Sequence, residues 1–452
     1  MLGWKITKNG EYKLDIPALS KQEEQVILEL EEKFKDSVSR QSVSNSLDSE
    51  ELFRRLMENY TKQNSIHIDS DQREYLAKVA RMHVYGFYFL EELINNKNIE
   101  EISVIGPNKP VYVFLRNIGW QRVNACFTED KTIVDAINKM ASSIGRRITH
   151  QNPRIDAVLP NGSRLHASLP PISAGEITIR KFRNDPFSAI EIIESGVLDS
   201  STLAYLSLIM QSDSSLVIAG NTASGKTTTL NSLFAFVPIN ERVIIAEQTP
   251  EINIPHPHSL RMVANQDMSV GLKDIIYDSL RMRPDRMIVG EVRNAIEIEA
   301  LFDVLLAGQA RATYATMHAT STRELVQRLK NFGVSEIDVT AIGFAMIQKR
   351  MMEYDGKKTG NEIRKITEIV DIKNNKLLFS YNTTTKKLEA KNKDHLDNLL
   401  ANKLGVTSKE INDMQQERKK MIEKSPRKFS EFVTYVQNKL FGFKHEYNGK
   451  IN

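Results

Sequence analysis

One short segment of this 452-residue chain constrains its fold more than any other: Gly220-Asn221-Thr222-Ala223-Ser224-Gly225-Lys226-Thr227-Thr228. Two glycines separated by four residues and followed by Lys and Thr form the phosphate-binding loop pattern. Residues 215–219 before it are mostly apolar, as in a buried strand, and a helix start follows. The segment therefore predicts a strand, a loop whose backbone N–H groups cradle β- and γ-phosphates, and a helix, and with them nucleoside triphosphate binding.

Two side chains of this phosphate loop have clear chemical roles if a nucleotide binds. Lys226 would neutralise phosphate charge, and the hydroxyl of Thr227 would ligate Mg²⁺. A Gly/Ser/Thr-rich surface turn could match the pattern by chance, but the flanking strand and helix argue against that alternative. The loop residues carry no information about the base, so they leave both ATP and GTP open.

Length and composition indicate an intracellular protein with several domains. A chain of 452 residues is expected to form about three domains, and its single cysteine, Cys126, excludes an internal disulfide and suits a reducing cytoplasm. No apolar run approaches the roughly 18 residues of a membrane span, and residues 1–5 lack a signal-peptide core. The net charge of +4 is small and dispersed, which argues against a nucleic-acid-binding protein.

The spacing of apolar residues predicts how the chain divides. Residues 20–35 and 72–95 have helical periodicity, residues 99–182 contain short strands around one helix, and strands alternate with helices from about residue 200. The expected regions are a mainly helical region with a polar linker at 1–98, an α+β domain at 99–185, a linker at 186–199, an α/β nucleotide-binding domain at 200–390 and a helical tail at 391–452. The alternation predicts a mostly parallel sheet with the nucleotide at the C-terminal ends of its strands.

Polar side chains follow three further strands of this predicted sheet. Glu247 and Glu251 come after the strand at 243–246, Glu291 ends the strand that begins at Met287, and His318 follows the strand at 313–316. A single Glu after a strand is usually a cap or part of a solvated turn, and a single His is more often structural than catalytic. Because parallel strands end at one edge of the sheet, all of these side chains together favour a hydrolytic site. Glu291 is the carboxylate expected to polarise water or to hold Mg²⁺ through water.

These segments, taken in order, resemble the type II/type IV secretion ATPases. The resemblance rests on the phosphate loop, the acidic box at 247–251, the block at 280–293 and the histidine box that ends in Met317-His318-Ala319. The block contains Arg-Pro-Asp-Arg and Gly-Glu-Val-Arg, which are highly specific to that family. Further similarity at 153–164 and 179–182 extends the coverage to about residues 99–350, and the blocks are most similar to the archaeal branch.

The resemblance implies a RecA-like ATPase domain and roles for individual residues. Glu291 would position the attacking water with help from Glu247 or Glu251, and His318 would sense the γ-phosphate or relay its loss to the helix at 323–331. An arginine of the N-terminal domain would complete the site after domain closure or ring assembly. Four arginines are candidates, and each can equally be structural: Arg147, Arg154, Arg164 and Arg180.

Two positions depart from the family pattern. Gln248 stands where the acidic box usually has Asp, and Gln309 stands where the histidine box usually opens with Gly-His. Any role of the missing carboxylate is therefore absent from this chain. Because Lys226, Thr227 and Glu291 are all present, an active enzyme is still expected.

The resemblance also implies partners and location. It predicts a hexameric, ATP- and Mg²⁺-dependent motor in the cytoplasm, peripherally associated with the inner face of the cell membrane. Its partners would be a polytopic membrane platform protein and, indirectly, pilin-like subunits, with no direct nucleic-acid contact. Two alternatives stay open: a DNA-translocating or conjugative secretion ATPase, and a non-enzymatic scaffold gated by nucleotide.

Overall fold

The structure of the chain is a computed structural model with two compact units, Met1–Phe182 and Arg183–Asn452. It describes residues 4–6, 11–14, 20–38, 46–64, 68–84, 86–115, 118–181, 185–265, 268–354, 356 and 361–443. The two units are called the N-terminal and the C-terminal unit below.

The N-terminal unit begins with a three-helix layer that has its own core. Its helices are α1 (Lys21–Val38), α2 (Ser46–Gln63) and α3 (Ser70–Val84). Ser20 and Glu23 form a capping box at the start of α1, and Phe34 stacks on Phe53 in the core. The serine-rich polar stretch at 36–50, which the sequence predicts to be a linker or mobile loop, is helical at both ends, because α1 runs to Val38 and α2 begins at Ser46; residues 39–45 lie outside the described residues.

The rest of the N-terminal unit is an α+β arrangement. Its strands and further helices are β1 (Trp4–Ile6), β2 (Glu11–Leu14), α4 (Leu90–Asn95), β3 (Ile99–Val104), β4 (Pro110–Leu115), β5 (Gly119–Cys126), α5 (Asp130–Ser142), β6 (Arg154–Val158), β7 (Arg164–Ser168) and β8 (Glu176–Arg180). The sheet order is β1-β2-β5-β4-β3-β8-β7-β6, and only β2 and β5 pair in parallel. Ile133 and Ile137 of α5 share a buried core with strand residues such as Leu165 and Ile179.

The helix predicted over 72–95 is interrupted in the structure. The helix α3 ends at Val84 and α4 begins at Leu90. Gly86 lies in the interruption, where a Cβ atom would come within 2.9 Å of the Met82 backbone. The apolar pattern continues through the break although the helices face different cores: Leu76 and Ala80 of α3 pack in the three-helix layer, and Leu90 and Leu93 of α4 pack against the sheet core.

The C-terminal unit is built on a nine-stranded sheet. The strands are β9 (Leu216–Gly220), β10 (Val243–Glu247), β11 (Ser259–Val263), β12 (Arg286–Val292), β13 (Ala312–Met317), β14 (Phe344–Glu353), β15 (Asn361–Asp371), β16 (Lys376–Asn382) and β17 (Lys387–Ala390). The order β11-β10-β12-β13-β9-β14-β15-β16-β17 is parallel as far as β14 and antiparallel beyond it. The predicted α/β class with a parallel-rich sheet is therefore confirmed.

Helices flank the C-terminal sheet, and two separate apolar cores join helices to strands. The helices are α6 (Ala189–Glu194), α7 (Ser200–Gln211), α8 (Lys226–Leu233), α9 (Leu272–Ser279), α10 (Ala295–Ala307), α11 (Thr322–Asn331), α12 (Glu336–Val339), α13 (Lys393–Leu404), α14 (Ser408–Glu423) and α15 (Phe429–Phe441). One core joins α7, α8 and the last three helices to the strands, and the other joins α9, α10 and α11 to them. Alternate strand side chains thus point into different cores, as the period of a strand requires.

Two segments that the sequence sets apart are packed into this unit. The expected linker at 186–199 contains α6, which starts with a capping box between Ser188 and Glu191. The expected tail at 391–452 contains α13, α14 and α15, and Phe432 and Val436 are fully buried in the core around α7. The apolar side chains of both segments explain this packing, since they would otherwise be exposed to water.

Candidate active site

Four neighbouring parallel strands bring the predicted site residues to one edge of the sheet. Gly220 ends β9 and Glu247 ends β10. Glu291 is the second-last residue of β12, and His318 directly follows β13. The strands lie in the order β10, β12, β13, β9 and all run in the same direction, so their C-terminal ends meet. This is the edge at which open α/β sheets bind ligands.

The phosphate loop connects β9 to the first residue of α8. Gly225 precedes α8 as its N-cap and has φ +94°. Residues that carry a side chain rarely adopt this backbone conformation. Lys226 is 8% exposed, and its Nζ donates to the carbonyl oxygens of Gly220 (3.2 Å) and Asn221 (3.4 Å). The ammonium group thus folds back over the loop, beside the α8 N-terminus, where anions bind favourably.

The other loop residues differ in their exposure. Thr222 and Ala223 are exposed at the top of the loop, Thr227 and Thr228 are partly exposed in the first turn of α8, and Ser224 is fully buried. Their contacts with nucleotide stay a prediction.

Gln348 of β14 supports the phosphate loop through hydrogen bonds, a role that the sequence did not predict. Its Nε2 donates to the carbonyl of Ser224 (2.8 Å), and its Oε1 accepts from the hydroxyl of Thr229 (2.8 Å). Gln348 is 1% exposed, and a Cβ atom at Gly220 would come within 1.9 Å of its carbonyl oxygen. The only sequence signal for this role is a single amide after the apolar residues that open β14.

Two further contacts tie the outer side of the loop to β14 and β15. The side-chain amide of Asn221 exchanges two hydrogen bonds with the backbone of Arg350, both of 2.8 Å. Arg364 donates through Nε to the carbonyl of Ala223 (2.9 Å). The loop conformation is therefore set by the long β14–β15 hairpin as well as by its own glycines.

We expect Gln348→Leu to weaken nucleotide binding about tenfold, because two net hydrogen bonds of about 1 kcal/mol each organise the loop and the buried Ser224 carbonyl loses its donor. Titration with a fluorescent ATP analogue measures the change. The matched control is Gln327→Leu, since Gln327 is exposed on α11 and bonds only to Asn331 among the described contacts. Parental affinity in a folded Gln348→Leu variant would show that the loop does not need this support.

Glu247 is buried and shapes the acidic loop that follows β10. Its Oε1 accepts the backbone N–H groups of Glu251 (2.9 Å) and Ile252 (2.8 Å), and its Oε2 lies 3.4 Å from Nε of Arg261. Burial raises the pKa of Glu247 to about 7, against the lowering effect of those N–H groups and of Arg261. With a side chain only 2% exposed, Glu247 anchors the loop from inside.

The acidic loop places Glu251 beside the start of α8. The hydroxyl of Thr227 lies 3.3 Å from Oε2 of Glu251, and Asn231 of α8 donates to the Glu251 carbonyl (3.2 Å). Oxygen ligands of this kind suit Mg²⁺, which commonly takes one or two protein oxygens and completes its shell with substrate phosphates and water. The described residues include no group of three or more His, Cys, Asp and Glu side chains arranged to hold a metal by themselves. Thr227 thus fits its predicted metal role, with Glu251 as its neighbour.

Glu291 is held on both carboxylate oxygens. Its Oε2 accepts from Nε (3.0 Å) and Nη2 (2.5 Å) of Arg293, and its Oε1 contacts Nε2 of His318. Burial acts to raise the pKa of Glu291, but the hydrogen bonds and charge of Arg293, with His318 and Lys226, hold it below its ordinary value. Arg293 uses both acceptor positions of Oε2, which leaves Oε1 with one position for a water molecule.

Gly290 explains how Glu291 reaches the edge of the sheet. The pairing of β12 with β13 shifts by one residue between Val289 and Glu291, which is a β-bulge. A Cβ atom at Gly290 would come within 3.2 Å of Cγ of Glu247, so a larger residue would press on the buried carboxyl. Glycine therefore allows the two glutamates to lie on adjacent strands.

The two departures from the family pattern lie in different places. Gln248 follows β10, donates to Oε1 of Glu297 (2.5 Å) and accepts from Nη1 of Arg293 (3.4 Å). Gln309 is exposed after the C-terminus of α10, near the N-terminal end of β13. Gln248 therefore belongs to the surroundings of Glu291, whereas Gln309 lies at the opposite edge of the sheet.

The four candidate arginines all lie in the N-terminal unit. Arg147 is exposed in the segment after α5, Arg154 begins β6, Arg164 begins β7 and Arg180 ends β8. Arg164 and Arg180 are direct cross-strand neighbours, so they share one face of the sheet, and Arg164 lies 3.9 Å from Asp156. Their part in nucleotide hydrolysis stays a prediction.

Among the helices that the structure describes, none combines the length and the apolar character needed to cross a bilayer.

Comparison with known proteins identifies relatives of this chain. An uncharacterized protein of the archaeon Methanocaldococcus jannaschii is 29% identical over 338 residues, which cover 73% of this chain and 60% of that protein. A second uncharacterized protein of that organism is 39% identical over 232 residues, 48% of this chain and 32% of the relative. The type IV secretion system protein VirB11 of Bartonella quintana is 27% identical over 246 residues, 45% of this chain and 68% of VirB11. The chain thus matches less than two thirds of the first two relatives, and both support the predicted archaeal likeness.

The family itself follows from a longer match. Among solved structures, the pilus retraction motor PilT with bound ADP has 16% identity and a TM-score of 0.47, covering 78% of this chain and 92% of PilT. The model of the family described as type II/IV secretion system protein matches residues 85–437, well over half of the chain. The predicted resemblance is confirmed: the chain belongs to the type II/IV secretion system protein family.

Proposed function

We propose that this protein is a Mg²⁺-dependent ATPase that drives a secretion or pilus-type assembly machine. The observation that carries the proposal is the convergence, at one edge of a parallel sheet, of the phosphate loop and a Glu291 carboxylate held by Arg293 and His318. Family membership supports it, and relatives carry names such as type IV secretion system protein and pilus retraction motor.

The chemistry follows from the groups at this edge. Lys226 would move from the loop carbonyls to the phosphates, and Thr227 and Glu251 would bind the metal or its waters. The metal would neutralise charge on the phosphates. Glu291 would accept a hydrogen bond from the attacking water through Oε1, while Arg293 keeps the carboxylate oriented. Positioning and charge stabilisation are the main requirements of phosphoryl transfer.

The wider assembly is also a proposal. The protein would work as a hexamer at the inner face of the cell membrane, against a polytopic platform protein, and would move pilin-like subunits or exported protein through it. A conjugative or DNA-translocating secretion ATPase is the second candidate, because a putative conjugal transfer protein of Mycobacterium tuberculosis is 28% identical over 269 residues. The small net charge of +4 favours the first candidate.

Phosphate release by the purified full chain tests the enzymatic proposal. With ATP and Mg²⁺ we expect turnover that stops when EDTA removes the metal, and a parallel assay with GTP gives the nucleotide preference. Lys226→Ala provides the background of contaminating hydrolases. Phosphate release that is equal in the parent and in Lys226→Ala would overturn the proposal and leave a nucleotide-gated scaffold.

The machine can be identified with a trapped variant. Tagged Glu291→Gln, captured from gently solubilised native cells with ATP and Mg²⁺ present, is expected to retain its partner, which mass spectrometry identifies. Recovery of a polytopic membrane protein encoded with pilin-like proteins would support the assembly motor. Recovery of DNA-processing or coupling proteins would support the conjugative candidate instead.

A further inference from the structure

Gln248 lies half-buried between two charged side chains that both connect to the hydrolytic site. Its Nε2 donates to Oε1 of Glu297 (2.5 Å), and its Oε1 accepts from Nη1 of Arg293 (3.4 Å). An amide can donate to a carboxylate through its nitrogen and accept from a guanidinium through its oxygen at the same time. Gln248 therefore matches both neighbours.

Glu297 joins Gln248 to the backbone of Arg293. It lies in the first turn of α10, is 5% exposed, and accepts the backbone N–H of Arg293 (2.8 Å) through its second oxygen, Oε2. Its own backbone N–H donates to the N-cap side chain of Asn294 (3.0 Å). A carboxylate this deeply buried needs its donors, because a lost partner costs the full desolvation of a charged group.

Arg293 is thereby fixed at three points. Glu297 holds its backbone, Gln248 accepts from Nη1, and Nε and Nη2 donate to Oε2 of Glu291. The guanidinium uses different nitrogens for Gln248 and for Glu291, so the two contacts do not compete. The chain of contacts runs from Gln248 and Glu297 through Arg293 to the carboxylate expected to position water.

We propose that Gln248 and Glu297 form a positioning pair for the hydrolytic site, acting through Arg293 on the orientation of Glu291. The inference rests on the proposed ATPase function and extends it to residues outside the phosphate loop. It also accounts for the amide at position 248, since a carboxylate there would have no proton to donate and would face the buried Glu297 as a like charge. Glutamine is thus a requirement of the pair in this chain.

The pair should affect turnover and leave nucleotide binding unchanged. The described hydrogen bonds of Gln248 and Glu297 go to each other, to Arg293 and to Asn294, and none of them reaches the phosphate loop. A change at either position therefore leaves Lys226, Thr227 and the Gln348 support in place. This separates a positioning role from a general loss of structure.

A double-mutant cycle on the full-length protein tests the proposal. Gln248→Glu is expected to lower kcat about tenfold, and Glu297→Gln a few-fold, because each breaks the charge-assisted hydrogen bond between positions 248 and 297 and so loosens their common hold on Arg293. In the double variant the glutamine at 297 can donate to the new carboxylate at 248 and still accept the Arg293 N–H. Its kcat should therefore return to within about threefold of the parent, which is the mark of a coupled pair.

Two controls keep the result interpretable. Glu299→Gln neutralises an exposed carboxylate on the same helix, and its kcat should equal the parental value. Gln248→Leu removes both hydrogen bonds without adding a charge, and we expect it to lower kcat several-fold with parental affinity for a fluorescent ATP analogue. This variant reports on the pair if Gln248→Glu fails to fold.

The outcomes separate this inference from the proposed function. If the parent protein shows no ATP turnover, the proposed ATPase function is itself contradicted, and the positioning pair fails with it. A parent that hydrolyses ATP, together with Gln248→Glu and Gln248→Leu variants of parental kcat, overturns the positioning pair alone. Losses in the two single variants that simply multiply in the double variant would also overturn it, because the two residues would then act independently.

Discussion

Replacing Glu291 with glutamine should leave ATP binding intact and slow hydrolysis at least about a hundredfold, the scale of losing a positioned general base. The glutamine keeps the size of the side chain and an oxygen acceptor for Arg293. It cannot take a proton from water, and its amide carries no charge to hold Arg293 or His318 in place. Because the phosphate loop is a separate segment with its own support from β14, the nucleotide affinity should not follow the change in turnover.

Pre-steady-state and steady-state phosphate release, set beside equilibrium binding of a fluorescent ATP analogue, measure this effect. The matched control is Glu336→Gln, because Glu336 is an exposed glutamate that pairs only with Lys330 among the described contacts. Parental turnover in Glu291→Gln would transfer the water-positioning role to another carboxylate, for which Glu251 beside Thr227 is placed best.

The part of the site that sequence could predict is the part encoded locally. Glu247, Glu291 and His318 are each at or next to the end of an apolar strand, and Lys226 follows β9 through the phosphate loop. Parallel pairing then brings the strand ends together. Neither step needs knowledge of distant contacts. The location of the site at the C-terminal ends of the strands could therefore be predicted without knowing the order of the strands in the sheet.

The supports of the site could not be predicted because they depend on distant pairing. Gln348 and Arg364 reach the phosphate loop only because β14 pairs with β9 and β15 with β14. A single amide in an apolar strand has no pattern that distinguishes it from an exposed edge residue. Glu247 shows the same limit, since the sequence placed it at a strand end but could not show that its carboxyl is enclosed and holds a loop.

The Arg-Pro-Asp-Arg block shows how a family motif can be structural. Asp285 directly precedes β12 and Arg286 begins it, at the opposite end of the strand from Glu291. Oδ2 of Asp285 accepts the backbone N–H of Arg242 (2.8 Å), and the backbone N–H groups of both residues donate to the Arg242 carbonyl. These two residues of the block thus join the start of β12 to the chain that precedes β10.

Arg286, at the start of β12, is a large and fully buried side chain, and we expect it to be important for the stability of the C-terminal unit. It is 1% exposed, with Nε 2.5 Å from Glu241, Nη2 2.8 Å from Asp213 and Nη1 3.3 Å from the hydroxyl of Tyr314. Removing Arg286 takes away the buried cation that pairs with Glu241 and leaves this buried carboxylate the exposed Arg311, at 3.1 Å. We therefore expect Arg286→Met to destabilise the C-terminal unit by about 3–5 kcal/mol.

Denaturant unfolding followed by circular dichroism measures the Arg286→Met effect, which should appear as a lower midpoint. The control is Arg427→Met, because the Arg427 side chain is 71% exposed and pairs with Glu194 at 2.9 Å. An exposed pair contributes at most about 1 kcal/mol, so the two arginines test burial directly. Below the midpoint, folded Arg286→Met should bind nucleotide like the parent, since Arg286 and Glu291 lie toward opposite ends of β12. An unchanged midpoint with lost turnover would instead assign Arg286 to the chemistry.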